Sequence, residues 1–152
     1  MKRAEGWSVG LLAGLIGLLL LAGGPETTQA QSAKEFLLVT GEWQWKAKPG
    51  EAPVADRERG SVTVMTRYTY DPAFIVVNRG DNVVLKVHNL KGDHHIVNLP
   101  AFGINEVKIV RGEERTFRFT ADKSGLFVLD CKNHVNAEKE GPMLGYLLVL
   151  DR

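Results

Sequence analysis

Three residues near the C-terminus carry side chains that can bind a soft metal ion. Cys131 is the only cysteine of the chain and follows the apolar run Leu126–Leu129 and Asp130. His134 lies three residues further on, and Met143 precedes the last apolar run. Thiolate, imidazole and thioether groups together select copper among the first-row metals. The segment from Cys131 to Met143 is therefore predicted to supply part of a copper site.

A second histidine has to come from another strand. His94 and His95 open an extended apolar segment. Residues two apart in a strand share a face, so His95 shares one with Val97 and Leu99, whereas His94 shares one with the polar Asn98. The face of His95 is the more apolar of the two. We predict His95 as the strand ligand, with His94 as the alternative.

The N-terminus has the layout of an export signal. Lys2 and Arg3 precede an apolar stretch over residues 9–22, and small residues follow before Gln31. This pattern predicts a signal peptide over residues 1–30. An uncleaved membrane anchor is the alternative, because residues 7–24 nearly suffice to span a bilayer. Both readings place the folded part outside the cytoplasm, in a bacterial periplasm, and membrane attachment is expected only if the segment stays uncleaved.

A single cysteine in an exported protein is informative, because a disulfide framework needs an even number and an exposed odd thiol oxidises. Cys131 should therefore be buried as a small apolar side chain or bound to a metal. The overall composition is that of one globular domain, with 44% hydrophobic residues, 24% charged residues and a net charge of +1. Nothing in this charge balance indicates a nucleic-acid partner.

Short apolar segments separated by Gly, Asn and Asp turns recur after residue 61 at roughly ten-residue spacing, which predicts an all-β antiparallel sandwich or barrel. Residues 61–152 are predicted to form the metal-binding domain. Residues 31–60 are expected to hold one or two strands around Trp43-Gln44-Trp45, followed by a charged loop from Lys46 to Gly60.

From about Tyr70 onward the chain resembles the cupredoxins. The resemblance implies a Greek-key β-sandwich of about eight strands. Within the superfamily the chain looks similar to nitrosocyanin and to the copper domains of cytochrome oxidase subunit II and nitrous oxide reductase. The resemblance rests on these residues: Asp71-Pro72, Gly80-Asp81, Val87-His88-Asn89, His95, Pro100, Phe102-Gly103-Ile104, Gly112-Glu113, Phe117, Phe119, Ser124-Gly125, Phe127, Cys131, His134 and Met143-Leu144-Gly145.

At several positions this chain differs from these relatives, and the differences limit the kind of copper site that is expected. A binuclear copper centre needs a second cysteine and a further histidine where this chain has Val135 and Lys139. Nitrosocyanin has a carboxylate at the position of His95. The resemblance therefore implies one copper ion held by His95, Cys131, His134 and Met143. The gap between His134 and Met143 is long, and Glu138 within it is the alternative axial ligand.

The expected function is that of an exported one-electron carrier cycling between Cu(I) and Cu(II), with a redox partner protein docking near His134. Three alternatives stay open: a copper chaperone or scavenger, a copper site with an open position for small-molecule binding or catalysis, and a zinc or metal-free domain. No catalytic residue can be assigned from the sequence, so an electron carrier is expected in preference to an enzyme.

Overall fold

The structure, a computed structural model, describes residues 32–151 of the chain. The expected signal or anchor segment, residues 1–30, lies outside these residues. Within residues 32–151 no helix has both the length and the apolar character needed to cross a bilayer.

The regular secondary structure of the described residues is almost wholly β-strand, with two short 3₁₀ turns at Pro100–Phe102 and Ala137–Lys139. The strands are β1 (Lys34–Lys46), β2 (Val54–Asp56), β3 (Gly60–Val62), β4 (Val64–Asp71), β5 (Phe74–Asn78), β6 (Asn82–His88), β7 (His94–Leu99), β8 (Ile104–Val110), β9 (Glu114–Thr120), β10 (Gly125–Cys131) and β11 (Leu144–Leu150).

Nine of these strands form two sheets. One sheet has the order β4-β1-β6-β9 and the other the order β5-β11-β10-β7-β8, while β2 and β3 pair with each other. The chain crosses from the first sheet to the second between β4 and β5 and returns at β6. It crosses again at β7, returns at β9, and crosses a last time at β10. This two-sheet arrangement confirms the predicted all-β sandwich. It is not wholly antiparallel as predicted, because β1 runs parallel to β6 and β11 runs parallel to β5.

The core lies between the two sheets and follows the period-two alternation of the sequence. On β6, Val83, Leu85 and Val87 are 2% exposed or less. Phe117 and Phe119 of β9 pack against the same core, as their alternation predicts. The core gives the strand ends that carry the candidate ligands a rigid support.

Strand β1 is long and pairs on both sides. It runs parallel to β6 only as far as the pair Val39–His88, but continues antiparallel to β4 up to the pair Lys46–Val64. Residues 41–46 and 64–69 therefore form a two-stranded ribbon that extends past the end of β6. The predicted division of the chain at residues 30 and 60 stays a prediction.

The segment from Lys46 to Gly60 is not the plain loop that its prolines and charges predict. It contains β2 and leads through a tight turn into β3, forming a short hairpin. Asp56 organises the turn, since its Oδ1 accepts from the backbone N–H groups of Glu58 and Arg59 at 3.0 and 2.8 Å. Gly60 follows with φ 76°, which a glycine adopts without strain. Side-chain-to-backbone bonding of this kind is not visible in a composition-based reading.

Candidate metal centre

His95 lies at the start of β7 and points inward. It is 0% exposed, whereas its neighbour His94 is half-buried on the other face. The Nε2–H of His95 donates to the carbonyl oxygen of Lys91 at 2.6 Å. A carbonyl carries no proton, so this bond fixes the tautomer of the neutral ring and leaves Nδ1 unprotonated and free to bind a metal.

The turn that presents the Lys91 carbonyl is held by buried polar groups. The hydroxyl of Thr40 on β1 accepts from the backbone N–H groups of Leu90 and Lys91, at 3.1 and 3.3 Å. It lies 2.9 Å from Oδ1 of Asn89, to which it donates. The amide of Asn89 donates in turn to the Ile109 carbonyl at 3.1 Å. Thr40 and Asn89 thus position the acceptor that orients His95.

Cys131 ends β10, which pairs with β7 through Cys131–Val97. Its side chain is 1% exposed. The Sγ atom lies 3.6 Å from Nδ1 of His95 and 3.5 Å from Nδ1 of His134. The sulfur therefore faces one ring nitrogen of each of the two histidines predicted as ligands.

The loop after Cys131 closes on itself and places His134. The backbone N–H of His134 donates to the Cys131 carbonyl, and the N–H of Met143 donates to the His134 carbonyl at 2.9 Å. The N–H of Cys131 donates to the Met143 carbonyl at 3.1 Å, which completes the closure. Gly141 allows this tight path, because a Cβ atom there would collide with the His134 carbonyl.

The six residues from Val135 to Glu140 bulge outward from this closure. The bulge contains the 3₁₀ turn Ala137–Lys139, and Oδ1 of Asn136 caps it by accepting from the Lys139 N–H at 3.1 Å. Met143 therefore returns next to Cys131 and is 0% exposed within the core cluster that includes the cysteine. Glu138 lies exposed on the bulge and is not among the side chains that converge with Cys131.

The ligand atoms of His95, Cys131 and His134 all lie within 4.8 Å of one another. The two Nδ1 atoms are 3.2 Å apart, and the sulfur–nitrogen distances are 3.5 and 3.6 Å. A metal with bonds of ~2.3 Å to sulfur and ~2.05 Å to nitrogen requires edges of ~3.3–3.6 Å between nitrogens and ~3.6–3.8 Å between sulfur and nitrogen. The three side chains fit one metal ion with shifts of about 0.1 Å.

In the metal-free chain, burial favours the uncharged forms of the His95, Cys131 and His134 side chains. Desolvation lowers the pKa of His95, and it lowers the pKa of His134 to about 4, with the neighbouring His95 adding to the effect. Desolvation also raises the pKa of the Cys131 thiol, although the backbone amides of Ile96 and Asn133 act in the opposite direction. Both histidines are therefore neutral at pH 7, as metal ligation requires, and the thiol gives up its proton on binding a metal.

Asn133 ties the ligand loop to the strand of His95. Its Oδ1 accepts from the Ile96 N–H at 2.8 Å, and its Nδ2 donates to the His94 carbonyl at 2.9 Å. The thiol of Cys131 also donates to Oδ1 at 3.0 Å. Asn133 is not among the site residues predicted from the sequence, although its polar amide lies between two of the predicted ligands.

Tyr68 of β4 was missed as well. Its ring centroid lies 4.5 Å from the ring of His134 and 5.2 Å from the ring of His95. Tyr68 comes from the opposite sheet, and no local sequence pattern connects it with the histidines.

Known proteins show the same fold. No family profile and no curated protein matches the sequence. The multicopper oxidase mgLAC superposes with a TM-score of 0.58 at 20% identity, covering 80% of this chain and 40% of the oxidase. The copper-containing nitrite reductase from Thermus scotoductus SA-01 gives 0.57 at 21% identity, covering 80% and 28%. The blue copper oxidase from Nitrosomonas europaea gives 0.58 at 18% identity, covering 80% and 40%.

The chain therefore has the cupredoxin fold, as its sequence pattern indicates. It spans less than half the length of each of these three proteins. The closer grouping with nitrosocyanin stays a prediction, since none of the three is a nitrosocyanin.

Proposed function

We propose that this chain is an exported protein that binds one copper ion and carries single electrons. His95, Cys131 and His134 supply the three strong ligands, and the thioether of Met143 is the weak axial ligand. The observation that carries the proposal is the triangle of 3.2, 3.5 and 3.6 Å between two imidazole nitrogens and one thiol sulfur. Copper bound by this ligand set supplies reversible one-electron chemistry.

The chain's own contribution is to keep the ligands in place in both oxidation states. His95 and Cys131 sit on paired strands of the core, and their side chains are buried. His134 is fixed by backbone bonds to Cys131 and Met143. A rigid ligand set limits the rearrangement that accompanies gain or loss of an electron, which favours electron transfer.

The burial of the ligands bears on the alternatives. A chaperone or scavenger has to hand its metal to another protein, which requires accessible ligands, and His95, Cys131 and Met143 are at most 1% exposed. An open coordination position would follow if the loop displaced Met143, but the bulge at residues 135–140 turns outward and leaves Met143 buried. These features support a closed electron-transfer site. The proposed partner is a redox protein that docks at the end of the sandwich where His134 lies.

The proposed export rests on the layout of residues 1–30 and on the single buried cysteine. A periplasmic location agrees with a thiol that is withdrawn from oxidants by burial and, when copper is bound, by ligation.

Paired variants on β7 test the ligand assignment. His95→Gln should weaken copper binding by more than ~100-fold, since it removes a direct ligand and second-shell changes alone cost ~10–100-fold. His94→Gln, the matched control on the opposite face, should stay within ~3-fold of the wild type. Equal loss in both variants, or loss only in His94→Gln, contradicts the assignment.

A second pair tests the axial position. Met143→Leu should keep the thiolate-to-copper absorption but shift the reduction potential and the paramagnetic-resonance spectrum, because the weak ligand is gone. Glu138→Gln should leave both unchanged, since Glu138 is exposed on the bulge. If only the Glu138 variant shifts, the axial ligand is Glu138.

One-electron cycling is tested on the copper-bound wild-type protein. Adding ascorbate should bleach the thiolate-to-copper band, and adding ferricyanide should restore it in full over repeated cycles. A band that fails to return, with copper released to the buffer, indicates a delivery or storage role.

A further inference from the structure

We propose that Tyr68 is a shielding residue that denies small exogenous ligands access to the metal held by His95, Cys131 and His134. This inference rests on the proposed function, because it concerns the same site. Tyr68 comes from the opposite sheet, and its position would exclude chemistry that requires an external ligand on the metal.

The position of Tyr68 matches the one gap in the burial of the site. Three of the four proposed ligands are at most 1% exposed, and only His134 is partly exposed. Tyr68 lies against this histidine, with ring centroids 4.5 Å apart and planes tilted by 48°. A small molecule that approaches the metal along His134 meets the phenol ring first.

Tyr68 also contacts the second imidazole. Its ring meets the ring of His95 edge to face, at 5.2 Å and 73°. Gly92 lies close to both rings: a Cβ atom at this position would lie 2.9 Å from Nε2 of His95 and 3.3 Å from Cε1 of Tyr68. The rings of His95 and Tyr68 are thus packed against the same backbone turn, which keeps the tyrosine beside the histidine.

The backbone of Tyr68 is anchored on two sides, so the ring is held over the site. Tyr68 pairs with Glu42 within the ribbon of β1 and β4 that extends past the end of β6. Its backbone N–H donates to the carbonyl of Glu140 at 2.9 Å, which joins the ribbon to the ligand loop. Lifting the ring away from His134 on its backbone would require breaking both attachments.

A closed site of this kind favours outer-sphere electron transfer. A redox partner needs only close contact with Tyr68 or with the exposed part of His134, whereas inner-sphere chemistry needs an external molecule bound to the metal. A shield of this kind therefore favours the electron-carrier function over the alternative of a catalytic copper site.

Azide binding to the copper-bound full chain tests the shield. Wild type, Tyr68→Phe and the control Arg67→Ala, which truncates the preceding ribbon residue on the other face, should show no azide-to-copper absorption band. Tyr68→Ala should gain this band and bind azide at least ~10-fold more tightly. The shield is disproved if wild type binds azide as tightly as Tyr68→Ala, or if Tyr68→Ala binds no more tightly than wild type.

A second readout uses the metal-free protein and remains valid if copper does not bind. Carbethoxylation of His134 by diethyl pyrocarbonate, followed by peptide mass spectrometry, should be at least ~10-fold faster in Tyr68→Ala than in wild type, with His94 as the internal reference. Equal rates contradict the shield. If Tyr68→Ala does not fold, Tyr68→Leu takes its place in both experiments. A wild type with no thiolate-to-copper band, combined with a faster His134 reaction in the variant, refutes the copper function but shows that Tyr68 shields the His134 ring.

Discussion

Asn133→Ala removes the side chain that ties the ligand loop to β7. Two hydrogen bonds to the backbone of β7 are lost, one of 2.8 Å from Ile96 and one of 2.9 Å to His94, together with the weaker bond of 3.0 Å from the Cys131 thiol. Each of the two backbone bonds contributes about 1 kcal/mol net to stability, and both backbone partners belong to half-buried residues. The free energy of unfolding of the metal-free protein should therefore fall by about 2 kcal/mol.

The same variant should weaken copper binding. Cys131 and His134 depend on the loop, while His95 depends on β7, so loosening the tie separates the ligands that must converge. A cost of about 2 kcal/mol corresponds to roughly 30-fold in affinity, within the ~10–100-fold range of second-shell changes. The assays are urea unfolding of the metal-free protein and competition for Cu(I) with a chromophoric chelator.

Asn136→Ala is the matched control. Asn136 lies on the same loop, but its side chain makes a single exposed bond of 3.1 Å to the Lys139 N–H on the outer bulge. It should lower stability by less than ~1 kcal/mol and leave copper affinity within ~3-fold. The reasoning is refuted if Asn133→Ala matches wild type in both assays, or if Asn136→Ala is equally damaging.

Three further predictions concern the pH response and the supports of the site. Burial lowers the pKa of His134 from its ordinary 6.5 to about 4 in the folded protein, so the unfolded chain binds more protons between these values. The free energy of unfolding of the metal-free protein should therefore fall by up to ~3 kcal/mol as the pH falls from about 6.5 to 4. In urea unfolding, the stability of His134→Gln should depend much less on pH. Thr40→Val removes the hydroxyl that bonds the Asn89–Lys91 turn and should destabilise the protein by ~1–3 kcal/mol in the same assay, whereas Thr66→Val, at an exposed bond to Gln44, should cost less than ~0.5 kcal/mol. Gly141→Ala forces a Cβ atom against the His134 carbonyl, so copper affinity should fall by at least ~10-fold in the chelator competition, and unchanged affinity would show that the loop closure is not needed.

The sequence was sufficient for the fold class because the dominant signal is periodic and local. Alternation of apolar residues and regularly spaced turns predicts the strands, and the same alternation puts His95 on the inward face, where the structure buries it. The lone cysteine could be interpreted by elimination, since it has no disulfide partner. These inferences need only the identity of each residue and its near neighbours.

Two of the remaining features depend on contacts between distant segments, and a third depends on the conformation of a single side chain. Tyr68 reaches the histidines because β1 and β4 continue to pair beyond the end of β6, and their register extends over eight residue pairs. Asn133 binds β7 across a sequence separation of 37 residues. The β2–β3 hairpin depends on how the Asp56 carboxylate bonds the following amides. The contact of Tyr68 with the histidines and the strand partner of Asn133 therefore leave no pattern in a short window of sequence. The Asp56 turn is local, but it depends on the conformation of one side chain.

The most direct test of the copper site is the spectrum of the wild-type protein and of Cys131→Ser after addition of one equivalent of Cu(II). The wild type should develop an intense visible thiolate-to-copper band and a matching paramagnetic-resonance signal, because Sγ of Cys131 faces both ligand nitrogens at 3.5 and 3.6 Å. Cys131→Ser should lack the band. The same weak spectrum in both proteins would contradict the proposed centre.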